Sequence, residues 1–246
     1  MSSLAGKKVL VTGGAVRVGK VIAETFAKQG AHVAITTRFH LESAHDFAAR
    51  FEGSGKIGPI IYADFTDNTA GDQVTQVLAN EWGRVDIVVH SASMFVRSPT
   101  DHMDESHWDA VLGVNLLTPF RLSTACLPLF ANAGGGKIIH IVDLSAFRAW
   151  PGYLAHSVSK SGLLTLTEGL AAAWAPRNIQ VNAVAPGAVL WPEDFSEQQK
   201  HREIQKTPAG DSGSPADVAN AVLYLAQGSS FLTGACIRVD GGRSLI

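Results

Sequence analysis

The chain has 246 residues, of which 46% are apolar and 17% charged, with a formal net charge of −2 at pH 7. That supports a sizeable core and gives no pull toward nucleic acid or anionic membrane. Two cysteines, Cys126 and Cys236, are too few for a disulfide framework and read as reduced thiols. The start MSSLAGKK has no apolar signal core, and no run of about 18 apolar residues could span a membrane, so a cytoplasmic protein is expected.

Strand-like and helical patterns alternate throughout. Val9-Leu10-Val11 is an apolar β-rich run broken by Thr12-Gly13-Gly14, and a helical stripe of Val18, Ile22, Ala23 and Phe26 follows. Next come a strand at 32–37, a helix near 41–51, a strand at 56–63, a helix at 68–82 and a strand at 85–90. A long helix near 104–130 precedes a strand at 136–142. A helix near 153–174 then leads to a strand at 179–185. Helical stretches near 197–206 and 215–226 precede a last strand at 235–239. This order predicts a single α/β domain, a Rossmann-like doubly wound parallel sheet with helices on both faces. The strands read as continuous apolar runs, as strands buried on both faces do. Residues 187–215, rich in Pro, Gly, Ser, Asp and Glu, follow a strand's carboxyl end, where such sheets bind ligands. They read as a substrate lid or as a plain surface loop.

Strand, glycine turn and helix over 7–19 (KKVLVTGGAVRVG) suit a dinucleotide. Free N–H groups and the helix N-terminus attract a pyrophosphate that only glycine lets the backbone approach closely. Glycines stand at 13, 14 and 19, and Arg17 fills a place where many short-chain dehydrogenases/reductases have glycine. TGGAVRVG resembles that superfamily, and its pteridine reductase branch in particular. Ala92-Ser93-Met94-Phe95 and the ending Leu232-Thr233-Gly234 with Val239-Asp240-Gly241-Gly242-Arg243-Ser244-Leu245 are similar to the same branch. The resemblance assigns Gly13, Arg17, Val18, Gly19, Ser91, Ala92, Ser93, Pro186 and Gly187 to the cofactor, with Asp64 and Phe65 at its adenine edge. A turn or cap role for Asp64 is the alternative. The second strand ends Thr36-Thr37-Arg38-Phe39-His40, without the acid that holds an NAD ribose. Arg38, with Arg17 approaching from the turn, could hold a 2′-phosphate, which points to NADP(H); solvated surface arginines are the alternative.

The superfamily pairs a Tyr with a Lys four residues on, and a Ser thirteen before the Tyr, which in pteridine reductases is Asp. Here Lys160 and Asp143 fit, but the Tyr place is His156. Asn115, in VNLLTP, matches an asparagine that holds a water-linked proton path. Histidine has an ordinary pKa of about 6.5 against about 10 for tyrosine. Lys160 would disfavour imidazolium and Asp143 would favour it. With Asp143 close, these opposed effects suggest a His156/Asp143 acid pair acting best at mildly acid pH, while the resemblance implies Lys160 on the nicotinamide ribose. Loss of the acid with nucleotide binding retained is the alternative.

Phe95 matches the aromatic that stacks on a pterin. Trp150, Tyr153 and Trp191 line a pocket or belong to the core. Tyr153 lies seven residues before Lys160, about two helical turns, and is a poor stand-in for the missing phenol. Asp101-His102 and Asp104 to His107 read as helix capping and solvated surface, not a metal site. The expected activity is reduction of a pterin-like C=N or a carbonyl. A 3-oxoacyl or other ketone reductase is a second reading, and a nucleotide-binding protein without reductase activity a third. A homotetramer or homodimer is implied, with no nucleic-acid or membrane partner.

Overall fold

The computed structural model describes residues 4–51, 57–98, 104–191 and 195–246. Lys56, where the third strand is expected to begin, Asp101, His102 and residues 192–194 of the expected lid lie outside them. Strands β1 (Lys8–Thr12), β2 (His32–Thr37), β3 (Ile57–Tyr62), β4 (Ile87–His90), β5 (Gly136–Ile141), β6 (Ile179–Pro186) and β7 (Cys236–Val239) form one sheet in the order β3-β2-β1-β4-β5-β6-β7. Every neighbouring pair is parallel. The strand order reverses at β1 and β4, and the crevice beyond their carboxyl ends is where this architecture binds ligands.

Alternation along each strand divides the core. Val9, Val11, Val33, Ile35, Val89 and Ile139 pack beneath α1 (Arg17–Lys28), α2 (Leu41–Arg50) and α9 (Pro215–Gln227). Leu10, Val88, Ile138 and Val181 pack on the other side, beneath α3 (Ala70–Trp82), α5 (Thr118–Ala125) and α7 (Leu154–Trp174). Successive strand residues thus bury on opposite faces, which is why these strands lack polar alternation.

The expected long helix over 104–130 is broken. α4 (Glu105–Leu112) passes into a π-helical turn at Gly113–Leu117, then α5, then α6 (Leu127–Asn132). Pro119 and Pro128 stand in the first turns of α5 and α6. Pro119 has no N–H to offer the Asn115 carbonyl four residues back, so the ladder widens there. Asp104 caps α4 by accepting from the His107 N–H at 3.2 Å, the capping role expected of it. α8 (Glu197–Gln205) lies within the irregular segment and opens on a capping box at Ser196.

Candidate active site

The crevice is built at the carboxyl ends of β1, β2, β4, β5 and β6. Gly13 has φ +64°, and a Cβ there would lie 3.0 Å from the Ala92 Cα across the switch point. A Cβ on Gly19 would fall 2.3 Å from the Gly13 carbonyl oxygen, so helix and turn meet without room for a side chain. The N–H groups of Gly13 and Gly14 donate to Thr36 Oγ1 and the Thr36 carbonyl, both at 3.1 Å. They therefore tie the turn to β2 and are not the free donors expected from the sequence. Free donors begin further on. α1 opens at Val16 with no side-chain cap and no acid in its first turn, and its first bond is Lys20 N–H to the Val16 carbonyl. Val18 is partly buried against the core. Arg17 is exposed with φ +53°, which explains why glycine suits that place in related sequences.

Thr12 ties β1 to the β4 loop: its buried Oγ1 accepts from the N–H groups of Ser91 and Ala92, each at 3.0 Å. Arg38 is drawn partly away from the open crevice. Its Nε lies 2.9 Å from Asp64 Oδ2, and its guanidinium sits over the Phe39 ring. Asp64 Oδ1 meanwhile accepts from the N–H and hydroxyl of Thr66, so the turn reading of Asp64 holds. Burial opposes its ionisation, but Thr66 and Arg38 hold its carboxyl below the ordinary range. The Phe65 side chain is buried in the core beneath α5, leaving only backbone for the crevice. Pro186 ends β6, and the Gly187 N–H donates to the Val239 carbonyl at 2.9 Å.

His156 and Lys160 lie four apart on α7, facing inward, at 2% and 3% exposure. His156 Nε2 lies 2.6 Å from Asp143 Oδ2, whose side chain remains 20% exposed. Asp143 Oδ1 accepts from the Ser145 N–H at 2.8 Å and the Ser145 hydroxyl at 2.5 Å. Burial penalises the Asp143 carboxylate, yet the His156 hydrogen bond, the Lys160 charge and Ser145 together hold it below the ordinary value. An ionised Asp143 requires the proton on His156 Nε2. Nδ1 then lies between the Met94 carbonyl at 3.2 Å and Asn115 Nδ2 at 3.3 Å, so both ring nitrogens meet protein atoms. Lys160 Nζ donates to the Ile141 carbonyl at 2.9 Å, and burial, opposed by Asp143, lowers its pKa.

Asn115 sits inside the π-helical turn. Its Oδ1 accepts from the Met94 N–H at 2.7 Å and the Ser93 hydroxyl at 3.2 Å; its Nδ2 donates to the Met94 carbonyl and to Ser159 Oγ. Above the pair stands an aromatic group. Phe95, 48% exposed, stacks on Tyr153 with centroids 4.3 Å apart and planes 6° from parallel. Phe95 also meets His156 and Trp150 edge-on, at 4.8 and 6.3 Å. One face of Phe95 is thus taken by Tyr153. Trp191 does not join this group: its ring contact is Phe195, and with Glu197, Lys200, His201 and Ile204 it lines a separate cavity of about 510 Å³ along α8.

The family model described as enoyl-(acyl carrier protein) reductase, adh_short_C2, matches residues 14–244. The chain belongs to the short-chain dehydrogenase/reductase superfamily. It is 33% identical over 243 residues to a 3-oxoacyl-(acyl-carrier-protein) reductase of Thermotoga maritima, covering 97% of this chain and 98% of that one. It is also 33% identical over 248 residues to 3beta-hydroxysteroid dehydrogenase 1 of Eggerthella lenta, covering 98% and 95%. A solved structure from Beutenbergia cavernae superposes with a TM-score of 0.91 at 30% identity, covering 99% of each chain. That protein is provisionally assigned as an NAD(P)-dependent gluconate 5-dehydrogenase and holds NADP at low occupancy.

In this short-chain dehydrogenase/reductase, sequence reading missed Ser145, Ser159 and the Met94 carbonyl as partners of the candidate site. Ser145 had a local signal, since Asp-x-Ser favours a turn in which the Asp side chain accepts from the N–H two residues on. Ser159 and Met94 reach the site only through the fold.

Proposed function

We propose that this protein is an NADP(H)-dependent oxidoreductase that reduces the C=N bond of a planar, pterin-like substrate, with a carbonyl as the other reducible group. The observation that carries the reading is the Asp143–His156 pair, closed at 2.6 Å beside buried Lys160 and under exposed Phe95. The crevice suits a dinucleotide by its shape: a Cβ at Gly13 or Gly19 would collide with backbone, and α1 opens uncapped. Gly13, Arg17, Val18, Gly19, Ser91, Ala92, Ser93, Pro186, Gly187 and the Phe65 backbone would hold it, with Arg38 and Asp64 at the adenosine end and Lys160 at the ribose. When bound, the cofactor supplies the hydride. Arg17 and Arg38 would meet a 2′-phosphate, Arg38 in competition with its Asp64 partner, and no acid stands at 36–40. Asp143 is the member of the pair that meets the substrate, His156 braces it from behind, Asn115 fixes the His156 ring, and Phe95 offers its free face to a flat ring.

Two other readings have particular support. Similarity to a 3-oxoacyl reductase favours a ketone substrate, although an ionised Asp143 would oppose the alkoxide that forms. The engagement of both His156 nitrogens favours a nucleotide-binding protein with little reductase activity. The segment 187–215 serves as the substrate lid. The protein acts in the cytoplasm as a homotetramer or homodimer through the exposed apolar residues Leu117, Phe120 and Val158 of the π-turn, α5 and α7. The test is binding of NADPH and NADH by fluorescence, followed by NADPH consumption with dihydropterin. Tighter NADPH binding with turnover supports the reading; equal or absent binding of the two overturns it.

A further inference from the structure

Reduction of a ketone needs an acid, because hydride addition leaves an alkoxide. The acid place in this chain holds His156, whose two nitrogens face Asp143 on one side and Met94 and Asn115 on the other. Within the His156–Asp143 pair, the atoms left to meet a substrate are carboxylate oxygens. Asp143 receives three donors, two from Ser145 and one from His156, the arrangement that stabilises a carboxylate and not a carboxylic acid. His156 links this carboxylate to an aromatic group: its ring meets Phe95 edge-on, Phe95 stacks one face on Tyr153 and keeps the other free of Tyr153, and Trp150 meets Phe95 edge-on. A carboxylate beside clustered aromatic rings is a setting that attracts an organic cation. Lys160 offsets part of this charge, since its buried ammonium helps hold Asp143 ionised, but its Nζ donates to the Ile141 carbonyl and leaves Asp143 to other partners; Arg97, beside Gly152, is exposed to screening solvent.

We propose that the substrate brings its own proton: this site takes a cationic C=N compound, an iminium ion, with Asp143 as its counter-ion and hydrogen-bond acceptor. The proposal rests on the reductase reading above and names its substrate class. Hydride adds at the iminium carbon, the C=N π pair becomes the nitrogen lone pair, and the reduced nicotinamide leaves as NADP⁺. The organic product is a neutral amine, and no proton is drawn from the protein. Asp143 stays ionised throughout, which removes the need for the absent tyrosine.

The test uses three probes on the full chain. The first is N,N-dimethyl-tetrahydroisoquinolinium, a non-reducible cation, titrated against protein without nucleotide by calorimetry beside its neutral carbon isostere, 2,2-dimethyltetralin. The others are N-methyl-3,4-dihydroisoquinolinium and 2-tetralone, offered with NADPH from pH 6 to 9. The expected results are at least tenfold tighter binding of the cation than of its isostere, and a kcat/KM for the iminium at least 100-fold above the ketone and flat with pH. Asp143→Asn, with its fold checked by circular dichroism, loses both the binding preference and the iminium turnover at least tenfold. His156→Tyr, which restores a phenol, raises ketone turnover at least tenfold. Equal binding of cation and isostere, ketone turnover within tenfold of the iminium, or no iminium turnover by protein that binds NADPH overturns the proposal and leaves the cofactor reading standing. Failure to bind NADPH at all overturns the reductase reading beneath it.

Discussion

Thr12→Val tests how the crevice is held open. Valine matches threonine in shape, so no cavity forms and the change is confined to the hydroxyl. Thr12 Oγ1 accepts the N–H groups of Ser91 and Ala92, each at 3.0 Å, at the seam where β1 and β4 part. Removing it orphans two backbone donors, at about 1–3 kcal/mol each when buried. Ser91 and Ala92 are only partly buried, so the lower half of that range applies, about 2–4 kcal/mol in all. Against a whole-domain stability of about 5–15 kcal/mol this is a large fraction. In a chain of this size it lowers Tm by about 4–16 °C. Urea unfolding at pH 7 measures the loss, and a parallel NADPH titration shows affinity falling, because Ala92 backs Gly13. A loss below about 0.5 kcal/mol with unchanged NADPH affinity would refute the reasoning, since the two N–H groups would then have found water at no cost.

Gly19→Ala places a Cβ against the Gly13 carbonyl and should cost over ~2 kcal/mol and abolish dinucleotide binding, read by urea melts and NADPH fluorescence. Arg17→Gly relieves a left-handed residue and should stabilise the fold by about 1 kcal/mol while weakening NADPH more than NADH, read by the same two assays. Asp143→Asn should cost about 1–3 kcal/mol at pH 7 through its lost charge-assisted bonds. The folded carboxyl titrates below the unfolded value of about 3.9, so the stability it contributes is full above that pH and is lost as pH falls through the folded value. The gap between wild-type and Asp143→Asn urea midpoints is therefore widest at pH 7 and narrows toward pH 3.

The sheet was readable because apolar strands and periodic helices alternate without interruption, and the glycine turn because its chemistry is local. The break of the 104–130 helix was half visible: Pro119 stands in the sequence, but a proline in a first turn is ordinarily harmless. The outcome depends on Asn115 being pulled toward Met94 and Ser159, contacts 21 and 44 residues away. The nearness of Asp143 to His156 is what the resemblance to pteridine reductases implies, and the structure closes the pair at 2.6 Å. Closure of both His156 nitrogens was not legible, since it needs the β4 loop carbonyl at Met94. Arg38 was placed correctly at the end of β2, but its capture by Asp64 depends on the neighbouring strand β3. The surroundings of Trp191 were hidden for a similar reason: its ring contact, Phe195, belongs to the approach to α8.

The central claim is that hydride chemistry proceeds here without the superfamily's tyrosine. The most direct measurement is NADPH consumption with dihydropterin from pH 5 to 9, for the wild type and for His156→Tyr. The account predicts that the wild type turns over, fastest at the acid end where the substrate C=N is protonated. Turnover by His156→Tyr alone, with an inert wild type at every pH, would contradict it.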